Sequence, residues 1–183
     1  MILVLVLVIV AGGAATLFGG DGDDTKDAST TSTTGTSLPE TESAQGKPCV
    51  AQTGEPPPGA PGVPVKEGQP PEELVAEDLE EGDGPEVPEG ATVTVNYIGV
   101  ACSTGAVFDD SYSRGEPATF PLSGVIVGWQ KGIPGMKAGG RRLLGIPSDQ
   151  AYGPAGSPPT IAPDETLWFV VELISFEPGQ PAG

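Results

Sequence analysis

The chain has 183 residues, 28 of them glycine and 21 proline, with a formal net charge of −17 and no histidine. Such acidity repels phosphate backbones and excludes nucleic acid as a partner. The missing histidine removes the usual general base, the commonest zinc ligand and every histidine-dependent triad. The two cysteines cannot complete a four-ligand zinc site by themselves, so neither a metal nor another cofactor is expected.

The acidity is uneven. Residues 1–90 hold 17 acidic and 3 basic side chains, a net of −14, which leaves −3 for residues 91–183. In chain order, residues 2–20, "ILVLVLVIVAGGAATLFGG", carry no charge over 19 positions, about the length that crosses a ~30 Å hydrocarbon layer as a helix. A cleaved signal peptide is the competing reading, with small residues at Gly13 and Ala15, but the basic leader of such a segment is missing. An uncleaved single-pass anchor, with the bulk of the chain on the extracytoplasmic side, is therefore expected. Residues 21–71 read as a disordered stalk, Ser/Thr-rich at "TKDASTTSTTGTSLPETESAQG" and then proline-rich at "GEPPPGAPGVPV".

The folded unit is expected over residues 72–178, with a short flexible tail at 179–183. It opens on a strand in "ELVAEDLEEGDG". In "ATVTVNYIGV", residues 91–100, Val93, Val95 and Tyr97 alternate with Thr92, Thr94 and Asn96, so one face of this strand is core. A Ser-Thr-Gly turn leads into a partner strand ending at Phe108, a hairpin. Further strands are predicted at 118–122, 141–146 and 166–176. Between them "VIVGWQKGI" forms two or three helical turns and is stopped by Pro134. The outline is an α+β domain of about five strands with one short helix. Cys49 and Cys102, an even count in an exported chain, read as a disulfide tying stalk to domain, with two free thiols as the alternative.

Six motifs in order, "VNYIGV", "FDDSYSRGEPATF", "GVIVGWQKGIPGM", "GGRRLLGIP", "AYGPAG" and "TLWFVVELISF", resemble the FKBP-type peptidyl-prolyl isomerases, the macrolide-binding family. The likeness spans roughly residues 73–176. It implies a curved antiparallel sheet wrapped around the helix, with a shallow aromatic pocket between them. Carried over position by position, it implies Trp129 as the pocket floor, Tyr97 and Phe169 as walls, and Phe108 and Val125 as further lining, with Ile161 in the loop above. The Ile126 N–H and the Tyr152 hydroxyl would donate to substrate carbonyls, and Asp109 would be the one carboxylate facing the site. Each residue also has a plainer role: Trp129, Phe108 and Phe169 as core filling, Tyr152 as a plug on its own loop, and Asp109 as a turn cap or partner of Arg114.

Two departures stand out. Ala118 occupies the place of a family aromatic, which makes one rim of the pocket smaller and bears on macrolide affinity, and Ser157 stands where some members have histidine. Arg141 and Arg142 read as sheet-surface charges. The expected function is catalysis of X-Pro rotation in Pro-containing segments of exported or cell-surface proteins, by a monomer. This chemistry breaks no covalent bond and so needs neither nucleophile nor base. The alternatives are a non-catalytic Pro-peptide or macrolide-binding module, and a surface spacer or adhesin.

Overall fold

The computed structural model describes residues 42–179. The expected anchor at 2–20 and most of the Ser/Thr-rich part of the stalk, residues 25–41, lie outside them. Among the described residues no helix is long and apolar enough to cross a membrane.

Six strands form one sheet: β1 (Val75–Glu80), β2 (Thr92–Ala101), β3 (Val107–Asp110), β4 (Ala118–Pro121), β5 (Arg141–Ile146) and β6 (Leu167–Glu177). They run β1-β5-β6-β2-β3, with β4 also on β2, and every pairing is antiparallel. The ten residues of β2 serve three neighbours: β6 along one edge, and β4 and then β3 along the other. One helix, α1 (Val127–Gly132), is a single long turn that ends two residues before Pro134, shorter than the two or three turns expected. Proline there cannot donate the next backbone hydrogen bond.

The period-two pattern places Val93, Val95 and Tyr97 of β2, with Phe169, Val171 and Leu173 of β6, in one apolar cluster with Trp129 and Ile133. This is the concave side. The alternate residues, Ile98 and Val100 of β2, Leu143 of β5, and Trp168 and Val170 of β6, form a second cluster on the convex side. Such a face on a lone sheet would be wet, yet Trp168 is fully buried.

Residues of the proline-rich segment cover it, which corrects the boundary expected at residue 72. Cys49 and Val63 are buried in the convex cluster, with Ala60 and Val65 packed beside them. Cys49 and Gly68 exchange backbone hydrogen bonds at 2.7 and 2.9 Å, and Val50 N–H donates to the Cys102 carbonyl at 2.9 Å. Cys49 and Cys102 form a disulfide across a separation of 53 residues. Proline and glycine give this strap no ladder of its own: its bonds are a few local ones, such as Val63 N–H to Gln52 Oε1 at 2.7 Å, and those to Gly68 and Cys102, while its valines bury area at ~25 cal/mol per Å².

Arg142 also departs from expectation. Its side chain is only 12% exposed and grips Asp78 in a two-pronged contact at 2.6 and 2.9 Å. It also donates to the Gly132 carbonyl at 2.8 Å, satisfying the C-terminal end of α1.

Candidate active site

A cleft of about 500 Å³ opens between the concave face of the sheet and α1. Its floor is Trp129, 4% exposed, around which other rings stand edge-on. Centroids lie at 5.4 Å from Tyr97, 5.4 Å from Phe169 and 5.8 Å from Phe120, with interplanar angles of 86°, 81° and 85°. Phe108 meets Phe169 in the same manner at 5.4 Å. Edge-to-face contacts satisfy the ring quadrupoles, and all five rings line the cleft. Gly99 permits this on β2: an added Cβ would lie 2.7 Å from both the Phe108 and the Phe169 ring. The Trp129 indole N–H is buried and has no hydrogen-bond partner among the described residues.

One wall is polar. The Tyr97 hydroxyl donates to Asp109 Oδ2 at 2.5 Å and accepts from Arg114 Nη2 at 2.7 Å, while Arg114 Nη1 donates to Asp109 Oδ1 at 2.9 Å. The guanidinium carbon also lies 5.5 Å from the centre of the Tyr97 ring, a cation–π contact. Burial, then the bond to Asp109, pushes the Tyr97 phenol up to about 12, so it remains a neutral donor. Local sequence builds this wall. The fully buried Ser111 accepts from Tyr97 N–H at 3.0 Å and donates to Asn96 Oδ1 at 3.2 Å, locking the end of β3 to β2. Asp110 accepts from the Ser113 N–H and hydroxyl, holding the turn Tyr112–Arg114 that swings Arg114 back over Tyr97.

The opposite rim comes from the start of α1. Ile126 is its N-cap residue, and the Ile126 N–H has no backbone acceptor among the described residues. Gln130 Nε2 donates to the Val125 carbonyl at 2.8 Å and fixes this rim. Tyr152, 43% exposed, stands at the mouth just before the turn Gly153–Ala155.

Of the nine pocket residues named from sequence, Tyr97, Phe108, Asp109, Val125, Ile126, Trp129, Tyr152 and Phe169 line the cleft together. Ile161 does not. It is 4% exposed and belongs to the core, because reciprocal 2.9 Å bonds between Ser157 and Ile161 turn it back into the domain. Phe120 and Gly124 line the cleft and were missed. β4 places Ala118 and Phe120 on one face, and Phe120 supplies an aromatic ring to the cleft beside the small Ala118. Among the described residues no cluster of three or more histidine, cysteine or carboxylate side chains is arranged to hold a metal.

The family profile described as FKBP-type peptidyl-prolyl cis-trans isomerase matches residues 84–174. The chain is 49% identical over 115 residues to a probable FK506-binding protein of Corynebacterium glutamicum, an alignment that covers 63% of this chain and 97% of that protein. This chain belongs to the FKBP-type peptidyl-prolyl cis-trans isomerase family. The isomerase is also 46% identical to FkpA of Escherichia coli strain K12 over 109 residues, 60% of this chain and 40% of FkpA. Against the crystal structure of FkpA the TM-score is 0.55 at 45% identity, covering 58% of this chain and 49% of that one. The crystal structure of AtFKBP13 gives 0.53 at 38% identity, covering 57% and 93%. The strap precedes the matched profile of the isomerase by more than a turn of chain.

Proposed function

We propose that the isomerase turns X-Pro bonds of exported or cell-surface proteins within the Trp129 cleft, on the extracytoplasmic side of a membrane to which residues 2–20 anchor it. The observation that carries the chemistry is an apolar floor of edge-on rings facing one polar wall. Rotation about the prolyl bond is opposed by ~18–20 kcal/mol of amide conjugation, which separates charge in the planar form. Taking the proline ring out of water onto Trp129 disfavours that charge separation relative to the twisted form. The Ile126 N–H and the Tyr152 hydroxyl donate to the carbonyls flanking the bond and hold the chain on either side of it. Asp109, already accepting from Tyr97 and Arg114, fixes where the polar edge of the cleft meets the rotating carbonyl.

Two features support the location. Residues 2–20 are uncharged over 19 positions, followed by a Ser/Thr-rich linker. The Cys49–Cys102 disulfide fits an oxidising compartment. Several similar proteins carry the name FK506-binding protein. The same cleft is therefore proposed to take a macrolide of that class in competition with substrate.

The test is isomer exchange in a Pro-containing peptide, followed by NMR without a coupled protease. Acceleration by the wild type, abolished by FK506 and weakened in Asp109→Ala and Tyr152→Phe, is the expected result. An uncatalysed rate at micromolar protein would reduce the cleft to a binding module. Protease shaving of intact cells that leaves the domain untouched would overturn the location.

A further inference from the structure

Two parts of the cleft hang on connections. Phe108 and Asp109 follow directly on the β2–β3 turn, residues 102–106, and Tyr152 opens the long connection that returns to β6. The strap reaches both. At its beginning Ala44 N–H donates to the Pro163 carbonyl at 2.8 Å and the Ser43 hydroxyl to Asp164 Oδ2 at 3.0 Å. Asp164 N–H in turn donates to the Gly153 carbonyl at 3.0 Å, next to Tyr152. Further along, Cys49 is bonded to Cys102, Thr53 N–H donates to the Gly105 carbonyl at 2.7 Å, and the Thr53 hydroxyl donates to the Thr104 carbonyl at 3.3 Å. The fit at the turn is close: Gly105 has φ +69°, and a Cβ there would collide with the Ala51 carbonyl oxygen.

From these contacts we infer that residues 43–53 are a positioning element for the isomerase reaction, holding the Phe108–Asp109 wall and the Tyr152 connection at a fixed separation. None of these residues touches the cleft, and all precede the stretch matched by the family profile. Surface connections are the least stable parts of a fold and open locally at low cost. Catalysis by placement is sensitive to that, since an error of about 1 Å at the site lowers turnover about a hundredfold. A strap stapled to both connections removes conformations in which the wall and the mouth drift apart. Its disulfide fixes one end and the Ser43–Asp164 contact the other. The inference rests on the cleft being the place of turnover.

The test uses the whole chain in three forms: Ser43→Ala, Ser43→Thr and the pair Cys49→Ala with Cys102→Ala. Turnover of a Pro-containing peptide is measured at a temperature where circular dichroism shows each protein folded, alongside amide hydrogen exchange. For the cysteine pair kcat/KM is expected to fall about tenfold, as a displacement smaller than 1 Å would give. Exchange should quicken in 102–106 and 153–164 but not in α1 or β5. Ser43→Ala should quicken exchange in 153–164 and lower kcat/KM by a smaller factor, and Ser43→Thr, which keeps the hydroxyl, should restore both. Wild-type kcat/KM in Ser43→Ala together with the cysteine pair overturns the inference, as does a loss that follows melting temperature with exchange unchanged. If the cysteine pair does not fold, the two Ser43 forms decide by the same criteria. An inactive wild type would instead remove the assigned site, and the inference with it.

Discussion

The Tyr97 hydroxyl lies 2.5 Å from Asp109 Oδ2, on the donating side, and takes a bond from Arg114 at 2.7 Å, so a single phenol joins carboxylate to guanidinium at the cleft edge. Removing Asp109 takes away the acceptor of both the Tyr97 hydroxyl and Arg114 Nη1 and leaves only the Arg114–Tyr97 bond of the network. Each lost charge-assisted bond of this kind is worth about 1–3 kcal/mol. Asp109→Ala is therefore expected to lower kcat/KM by about ten- to hundredfold. The melting temperature should change little, because Asp109 and Arg114 are each 46% exposed. Steady-state kinetics beside a thermal melt checks this; an equal fall in stability would make the network structural.

Phe120 closes the cleft between Tyr97 and Trp129, with ring centroids at 6.0 and 5.8 Å. Phe120→Ala should weaken peptide binding and destabilise the fold by about 1–3 kcal/mol, less than loss of a fully buried ring because Phe120 is half-buried. Peptide titration and urea unfolding read the two effects separately. Unchanged affinity would mean the ring serves only the core.

Stability should depend on pH at both extremes. Burial, then Asp109, pushes Tyr97 up to about 12, and burial, then Glu172, does the same for Tyr112, both above the ordinary value of 10.0. The unfolded chain therefore releases these protons first, so the contribution is complete below pH 10 and is lost between pH 10 and about 12. At the acid end the hydrogen bond from Arg142 holds Asp78 below its ordinary 3.8, a contribution present above that value and lost as pH falls through the lowered one. Urea midpoints across the pH range should show both limbs. Combining Tyr97→Phe with Tyr112→Phe should flatten the alkaline one, and an unaltered limb would refute the assignment.

Closing a loop of 53 residues restricts the unfolded chain by about 4 kcal/mol in the chain-entropy account. Replacing Cys49 and Cys102 by alanine is expected to lower the unfolding free energy by about 2–4 kcal/mol, read from urea midpoints against wild type. A wild-type midpoint would show that packing of Val63 and its neighbours alone holds the strap.

What could be read in advance followed physical periodicity. β5 was expected at 141–146 and lies at Arg141–Ile146, and the alternation of Val93, Val95 and Tyr97 correctly named the inner face of β2. The strap escaped because proline and glycine erase any period, and its burial depends on a distant apolar face that no local window contains. Phe120 was not named at all, although it lies two residues along the strand from Ala118 and so returns to the same face. Ile161 went the other way: a two-bond bridge, invisible in composition, turns it inward. Arg142 looked like surface charge because a guanidinium usually is; here a carboxylate from β1 and a helix-end carbonyl meet it together.

The two tryptophans occupy opposite faces of the same sheet, Trp129 under the cleft and Trp168 beneath the strap with its indole N–H donating to Cys49 Sγ at 3.4 Å. A disulfide sulfur that close to an excited indole accepts an electron and darkens it. Intrinsic fluorescence of the oxidised protein therefore comes from Trp129, and ligand titrations read the cleft against a silent background, while reduction switches on a second, independent lamp on the far side.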